Sequence, residues 1–160
     1  MDIYLIRHGD AESGSGIKTD FERQLTPQGV EILKKAAAGW KNTLKGFDYI
    51  ISSPYKRAVQ TAQIVAEAFN MTDKIVIENR MGCGARTDDV LNIANSIKAE
   101  IIAFVGHEPD LSNHVSELIS GNGCNVEFKK GMIAKISFGS KARFTKGVLR
   151  FMMPTDVFCA

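Results

Sequence analysis

Apolar and polar positions alternate along the chain in two kinds of segment. Short apolar runs at Ile3–Ile6, Tyr49–Ile51, Ile75–Ile77 and Ile101–Val105 read as strands. Between them lie stretches with helical spacing. Val30, Leu33, Ala37, Trp40 and Leu44 recur on one face, and Thr26-Pro27 supplies an N-cap and a first-turn proline. Leu25 and Val30 stand where a hydrophobic staple would place them, and Gly46 offers a stop. Ser53-Pro54 repeats the cap-plus-proline start ahead of Ala58, Ala62, Val65 and Phe69. The spacing predicts a third helix over Asp88–Ile97 and a fourth over Pro109–Ile119, stopping near Gly121. Asp10–Gln24, rich in Gly, Ser and charge, reads as a loop. At the far end Met132–Phe138 alternates weakly, Val148–Met152 is apolar, and a Gly-Ser-Lys turn lies between them. That pattern predicts a terminal β-hairpin.

Strands alternating with helices predict an α/β fold: a three-layer α/β/α arrangement whose mostly parallel sheet is covered on both faces. No linker, repeat or low-complexity tract divides the chain, so residues 1–160 are expected to form one domain. A compact chain of this length removes roughly 70% of its unfolded surface from water, enough for one sizeable core. The net charge is +2 and no basic stripe occurs, since Lys129-Lys130 is too short, which argues against a nucleic-acid partner. MDIYLIRHGD meets a charge after a short apolar run, unlike a signal peptide or membrane helix. The closing VFCA puts its cysteine in the wrong place for prenylation. Cys83, Cys124 and Cys159 are odd in number, far apart and in no CxxC pair. Neither a disulfide framework nor a zinc site is expected, and a reducing cytoplasm is the natural setting.

In open α/β sheets, functional groups gather beyond the carboxyl ends of the strands. The first strand ends in Arg7-His8-Gly9, the second in Ser52-Ser53-Pro54 with Arg57 one turn on, and the fourth in Gly106-His107-Glu108. A doubly wound sheet points these ends to one rim. Arginines at helix N-termini suit a dianionic phosphate: guanidiniums offer paired donors, and helix ends add amides and partial positive charge. A histidine with one unprotonated ring nitrogen can attack phosphorus and hold the group covalently. The surrounding cations then neutralise charge on the equatorial oxygens.

LIRHGDAE, SSPYKRAVQTA and VGHEPDLS, in that order, resemble the motifs of the histidine phosphatase superfamily. The short chain and its RHGDAE variant are similar to the SixA-type phosphohistidine phosphatase branch. The resemblance runs from about Met1 to Phe138 and implies a phosphoglycerate mutase-like fold. It makes His8 the nucleophile that becomes phosphorylated, has Arg7 and Arg57 bind the phosphoryl oxygens, and has His107 donate to the same group. It implies neither metal nor organic cofactor, and a phosphohistidine-bearing protein as substrate.

Where many relatives carry an acid for an oxygen leaving group, this chain reads NRMGCGARTDDV, with Gly84-Ala85 in place of a Gly-Asp pair. Asp88 is the candidate general acid and Asp89 a lesser one, and both also suit a helix N-terminus. An alkoxide leaves poorly without a proton, whereas an imidazole can carry its own near neutrality, so a pocket without an acid is biased towards P–N bonds. Close strand–helix connections leave little chain for a lid, and the expected pocket is shallow and open. That favours a phosphorylated side chain on another protein over a small phosphorylated metabolite. A non-catalytic phosphoprotein-binding module on the same fold is the reading from another class. His114, Trp40 and the Met152-Met153 pair read as structural, and Glu12 and Glu108 receive no role. No GxxxxGK[ST] or GxSxG occurs.

Overall fold

The computed structural model describes residues 1–13, 16 and 19–158, so the Asp10–Gln24 loop is described in part and Cys159 lies outside the described residues. Ten main elements follow in the expected alternation: β1 (Asp2–Arg7), α1 (Pro27–Thr43), β2 (Tyr49–Ser52), α2 (Lys56–Phe69), β3 (Ile75–Ile77), α3 (Thr87–Ser96), β4 (Ile101–Gly106), α4 (Asp110–Ile119), β5 (Ile133–Ser137) and β6 (Val148–Met153). They build one sheet of order β3-β2-β4-β1-β5-β6. Pairings among β1 to β4 are parallel, and β5 runs antiparallel to both its neighbours. The fold is the expected phosphoglycerate mutase-like α/β architecture.

The two-residue period of the strands sorts side chains to two cores. Ile3 and Leu5 of β1, with Ile102 and Phe104 of β4, pack beneath α3 and α4. Tyr4 and Ile6, with Ala103 and Val105, pack beneath α1 and α2. Both faces are therefore apolar, which is why β1 and β4 read as unbroken hydrophobic runs rather than alternating ones. β3 is an edge strand that leaves Val76 and Ile77 substantially exposed.

Helix α1 starts as its sequence predicts: the Thr26 side chain accepts from the Gly29 amide at 2.9 Å, with Pro27 at the first position. The same expectation at Ser53-Pro54 is corrected. Helix α2 begins at Lys56 with Tyr55 as its cap residue and no side-chain capping bond. The Ser53 hydroxyl faces elsewhere. The C-terminal strands pair as a hairpin, but residues 138–147 make a longer connection than a Gly-Ser-Lys turn. Trp40 and His114 are buried, as structural roles require, while Met152 and Met153 are half-buried against the two cores. Among the described residues, no helix is long and apolar enough to cross a membrane.

Candidate active site

Because β4 lies between β2 and β1, the three motif-bearing strand ends are side by side. The register carries Arg7 opposite Gly106 and Ser52 opposite Val105. The next residue of each strand continues the ladder: His8 N–H donates to the Gly106 carbonyl at 3.2 Å and Ser53 N–H to that of Val105 at 3.0 Å. His8, Ser53 and His107 therefore leave the sheet together, and Arg57 reaches them from the first turn of α2.

The His8 ring is fixed at both nitrogens. Nδ1 lies 2.7 Å from the Gly9 carbonyl, which can only accept, so the proton resides on Nδ1. Nε2 keeps its lone pair and accepts from Arg57 Nε at 3.1 Å. Burial lowers the His8 pKa to about 4; the Gly9 carbonyl opposes that shift, and the charges of Arg57, Arg7 and Arg23 reinforce it. The imidazole is therefore neutral at physiological pH.

His107 stands with its ring centroid 5.2 Å from that of His8. Its Nε2 lies 2.7 Å from the Ser53 hydroxyl, and its Nδ1 is buried without a partner. Burial, then the neighbouring His8 and Arg57, bring its pKa down to about 3. Arg7 donates from one terminal nitrogen to the Phe128 carbonyl at 2.7 Å, while its Nε is buried and unpartnered. Two side chains thus enter the cluster with an unsatisfied buried nitrogen each, a costly arrangement while no partner is present.

The structure brings Arg7, His8, Arg57 and His107 together, as the motifs predict, but not in a shallow, open pocket. His8, Arg57 and His107 are only 7%, 4% and 2% exposed. A 3-10 turn over Asp20–Glu22 lies against Arg57, a short stretch of covering chain where the sequence predicts little chain for a lid. Arg57 donates to the Asp20 carbonyl at 2.6 Å and to its carboxylate at 3.0 Å, and points Nη2 at Cys83 Sγ, 3.7 Å away. The Tyr55 ring packs beside both Arg57 and His107, with centroid distances of 5.0 Å and 4.9 Å. Thr61 ties the strand end to α2, accepting from the Gly9 amide and donating to the Arg57 carbonyl.

Asp88 has a different neighbourhood. Its carboxylate is exposed and accepts from Arg86, while that of Asp89 accepts from the Arg86 backbone amide at the start of α3. Neither shares a hydrogen bond with the cluster. Glu108 is held by the amide and hydroxyl of Ser112, one turn into α4. The carboxylate that does reach the cluster is Asp20. Hydrogen bonds from Arg23 and Arg57 hold it below the usual carboxylate range, against partial desolvation, so it is ionised and carries no proton to give.

Sequence reasoning missed Ser53, Asp20, Tyr55 and Cys83 as neighbours of the cluster. Ser53 and Tyr55 lay inside a recognised motif but were read locally, one as a helix cap. Asp20 sits in loop-like sequence with no periodic signal.

The family model of the histidine phosphatase superfamily (branch 1) matches residues 3–82. An uncharacterized protein of Picosynechococcus is 29% identical over 144 residues, covering 88% of this chain and 87% of that one. The 2,3-bisphosphoglycerate-dependent phosphoglycerate mutase of Thermoplasma acidophilum is 42% identical over 86 residues, 49% of this chain and 41% of the mutase. Among solved structures, the protein histidine phosphatase SixA complexed with tungstate superposes with a TM-score of 0.83 at 20% identity, covering 98% of this chain and 99% of that one. The alpha-ribazole phosphatase from Shigella flexneri does so with a TM-score of 0.69 at 17% identity, with 97% of both chains covered.

Proposed function

This chain belongs to the histidine phosphatase superfamily, and we propose that it is a metal-independent phosphatase acting through a phosphohistidine formed at His8 Nε2. The observation that carries this reading is the ring of His8, protonated on Nδ1 by its bond to Gly9, so that Nε2 keeps a lone pair, which faces Arg57. Residues 1–160 act as a single catalytic domain, and the exposed free thiols of Cys83 and Cys124 fit a reducing cytoplasm.

In this mechanism the phosphoryl group docks on Arg7 and Arg57. The Nε2 lone pair attacks phosphorus while the bond to the leaving atom breaks, and that atom keeps the electron pair. Water then attacks the phosphohistidine, the P–Nε2 bond breaks, its pair returns to Nε2, and phosphate departs. The Ser53 hydroxyl accepts from the Tyr55 amide and lies 2.7 Å from His107 Nε2; in this mechanism it donates to that nitrogen, which leaves a proton on Nδ1. That otherwise unpartnered N–H is the donor for a phosphoryl oxygen.

The substrate we favour is phosphohistidine on a protein. Both Glu108 oxygens accept from Ser112, and Asp20, the carboxylate bonded to Arg57, is ionised and offers no proton to an alkoxide. An imidazole leaving group needs none, because it titrates near 6.5 and can depart already protonated. Burial of the cluster supports the second reading, a small phosphorylated metabolite. One experiment separates them: phosphate release from a phosphohistidine-bearing phosphotransfer domain, in excess EDTA, for wild type and His8→Ala. Release by the wild type alone is expected. No release alongside hydrolysis of a small phosphomonoester moves the assignment to a metabolite, and release by His8→Ala sinks the nucleophile.

A further inference from the structure

Arg57 offers nitrogen donors in a planar fork, and in this structure each nitrogen already has an acceptor. Nε is turned to His8 Nε2, Nη1 to the Asp20 carbonyl, and Nη2 to the Asp20 carboxylate and Cys83 Sγ. Two terminal nitrogens facing two oxygens is how a guanidinium takes up a phosphoryl group. Here both oxygens belong to Asp20. Meanwhile Arg7 Nε and His107 Nδ1 remain buried and unpartnered beside it. A tetrahedral dianion could serve all three side chains at once; among the described residues, the Asp20 carboxylate bonds only Arg57 and Arg23.

We propose that Asp20 is an internal stand-in for the phosphoryl group, and that substrate enters by displacing the Thr19–Arg23 turn from Arg57. Asp20 thereby sets the affinity of the site for its phosphoryl ligand, and the proposal rests on the phosphatase reading. The turn is built to be displaced. It has no buried residue, and its ends are held by the Thr19 hydroxyl on the Glu22 amide and by Arg23 on the Glu12 carbonyl. Its one large apolar side chain, Phe21, is 49% exposed and rests 5.0 Å from the Tyr55 ring. A segment with few buried contacts opens at low free-energy cost. Ligand affinity is then reduced by the fraction of molecules that are open, and removing the internal anion raises that fraction. For a charge-assisted pair with one exposed partner the gain is roughly three- to tenfold.

The test is binding of inorganic phosphate, measured by titration calorimetry on wild type, Asp20→Asn, Asp20→Ala and Arg57→Ala. Asp20→Ala is expected to bind phosphate roughly three- to tenfold more tightly than wild type. Asp20→Asn, which keeps a carbonyl acceptor, should gain less, and Arg57→Ala should lose binding. Hydrogen exchange on the unmutated protein adds a readout that needs no variant to fold: phosphate should speed exchange of the Glu22 and Arg23 amides. Equal or weaker binding by both Asp20 variants, or slower exchange in that turn, overturns the stand-in role alone. No phosphate binding by any of the proteins overturns the anion site and the stand-in together. Tighter binding by the Asp20 variants with turnover that survives His8→Ala supports the stand-in and sinks the nucleophile instead.

Discussion

Ser53→Ala tests whether a hydroxyl sets the tautomer of His107. The perturbed bond is a 2.7 Å contact between two buried side chains, at 0% and 2% exposure. Deleting the hydroxyl leaves His107 Nε2 without a partner on a ring whose Nδ1 already has none. An unsatisfied buried nitrogen costs about 1–3 kcal/mol. For a chain of this size each kcal/mol lowers Tm by roughly 2–4 °C, so a fall of roughly 2–12 °C is expected. The catalytic effect is separate. If Ser53 holds the proton on Nδ1, its loss lets the ring populate both tautomers, and an aimed donor becomes a part-time one. Full removal of such a donor costs about 10²–10³ in kcat, so a partial loss of about tenfold is expected, with KM changed less. Long-range ¹⁵N–¹H correlation spectra of His107 report the tautomer directly: Nε2 should be imine-like in wild type and mixed in Ser53→Ala. Ser53→Thr keeps the hydroxyl and should restore the wild-type pattern even if packing lowers its Tm. A wild-type spectrum with the proton on Nε2 would refute the reasoning, and so would a Ser53→Ala enzyme of full kcat.

The buried histidines make stability fall on acidification, because burial lowers the pKa of His8 to about 4 and of His107 to about 3, and lowers that of His114 as well. Below an unfolded value near 6.5 the unfolded chain binds protons that the folded one refuses, so His8 and His107 each withdraw about 2 kcal/mol between pH 7 and 5, and His114 acts in the same direction. Urea midpoints across that range should drop steeply, and a flat profile would contradict the burial. Asp88→Asn is expected to leave kcat/KM within about twofold, since its carboxylate pairs with Arg86 at the surface. A loss of two orders of magnitude on a phosphomonoester would return Asp88 to the site. Gly131 adopts a φ of +70°, and an added Cβ would meet the Thr155 methyl at 2.7 Å. Gly131→Ala should therefore cost about 1–3 kcal/mol, read from its denaturation midpoint.

What the sequence made legible is local. A run of β-branched and aliphatic residues ending in a polar turn marks a strand end, and three such ends carried Arg7, His8, Arg57 and His107 without reference to strand order. Thr26-Pro27 announced α1 because the contact that stabilises it, Thr26 to the Gly29 amide, spans a single turn. Ser53-Pro54 has the same local chemistry, yet its hydroxyl turns to His107, 54 residues away. Asp20 meets Arg57 across 37 residues. No propensity distinguishes a hydroxyl that caps its own helix from one that finds a partner on another strand.

The long-range part decides how the site can work. A histidine nucleophile needs a neutral ring at physiological pH, and here neutrality comes first from burial, which also lowers His107. Burial conflicts with access, since a phosphoryl group cannot reach an Nε2 that lies beneath other side chains. Strand ends cannot yield, because the His8 and Ser53 amides are bonded into the sheet. Helix α2 cannot yield, because Ala58, Ala62 and Val65 anchor it in the core. The Asp20–Glu22 turn has no buried residue and grips the site through polar contacts. A cover that carries its own anion resolves the conflict: it keeps Arg57 paired while the site is empty, and it exchanges one anion for another when the substrate arrives.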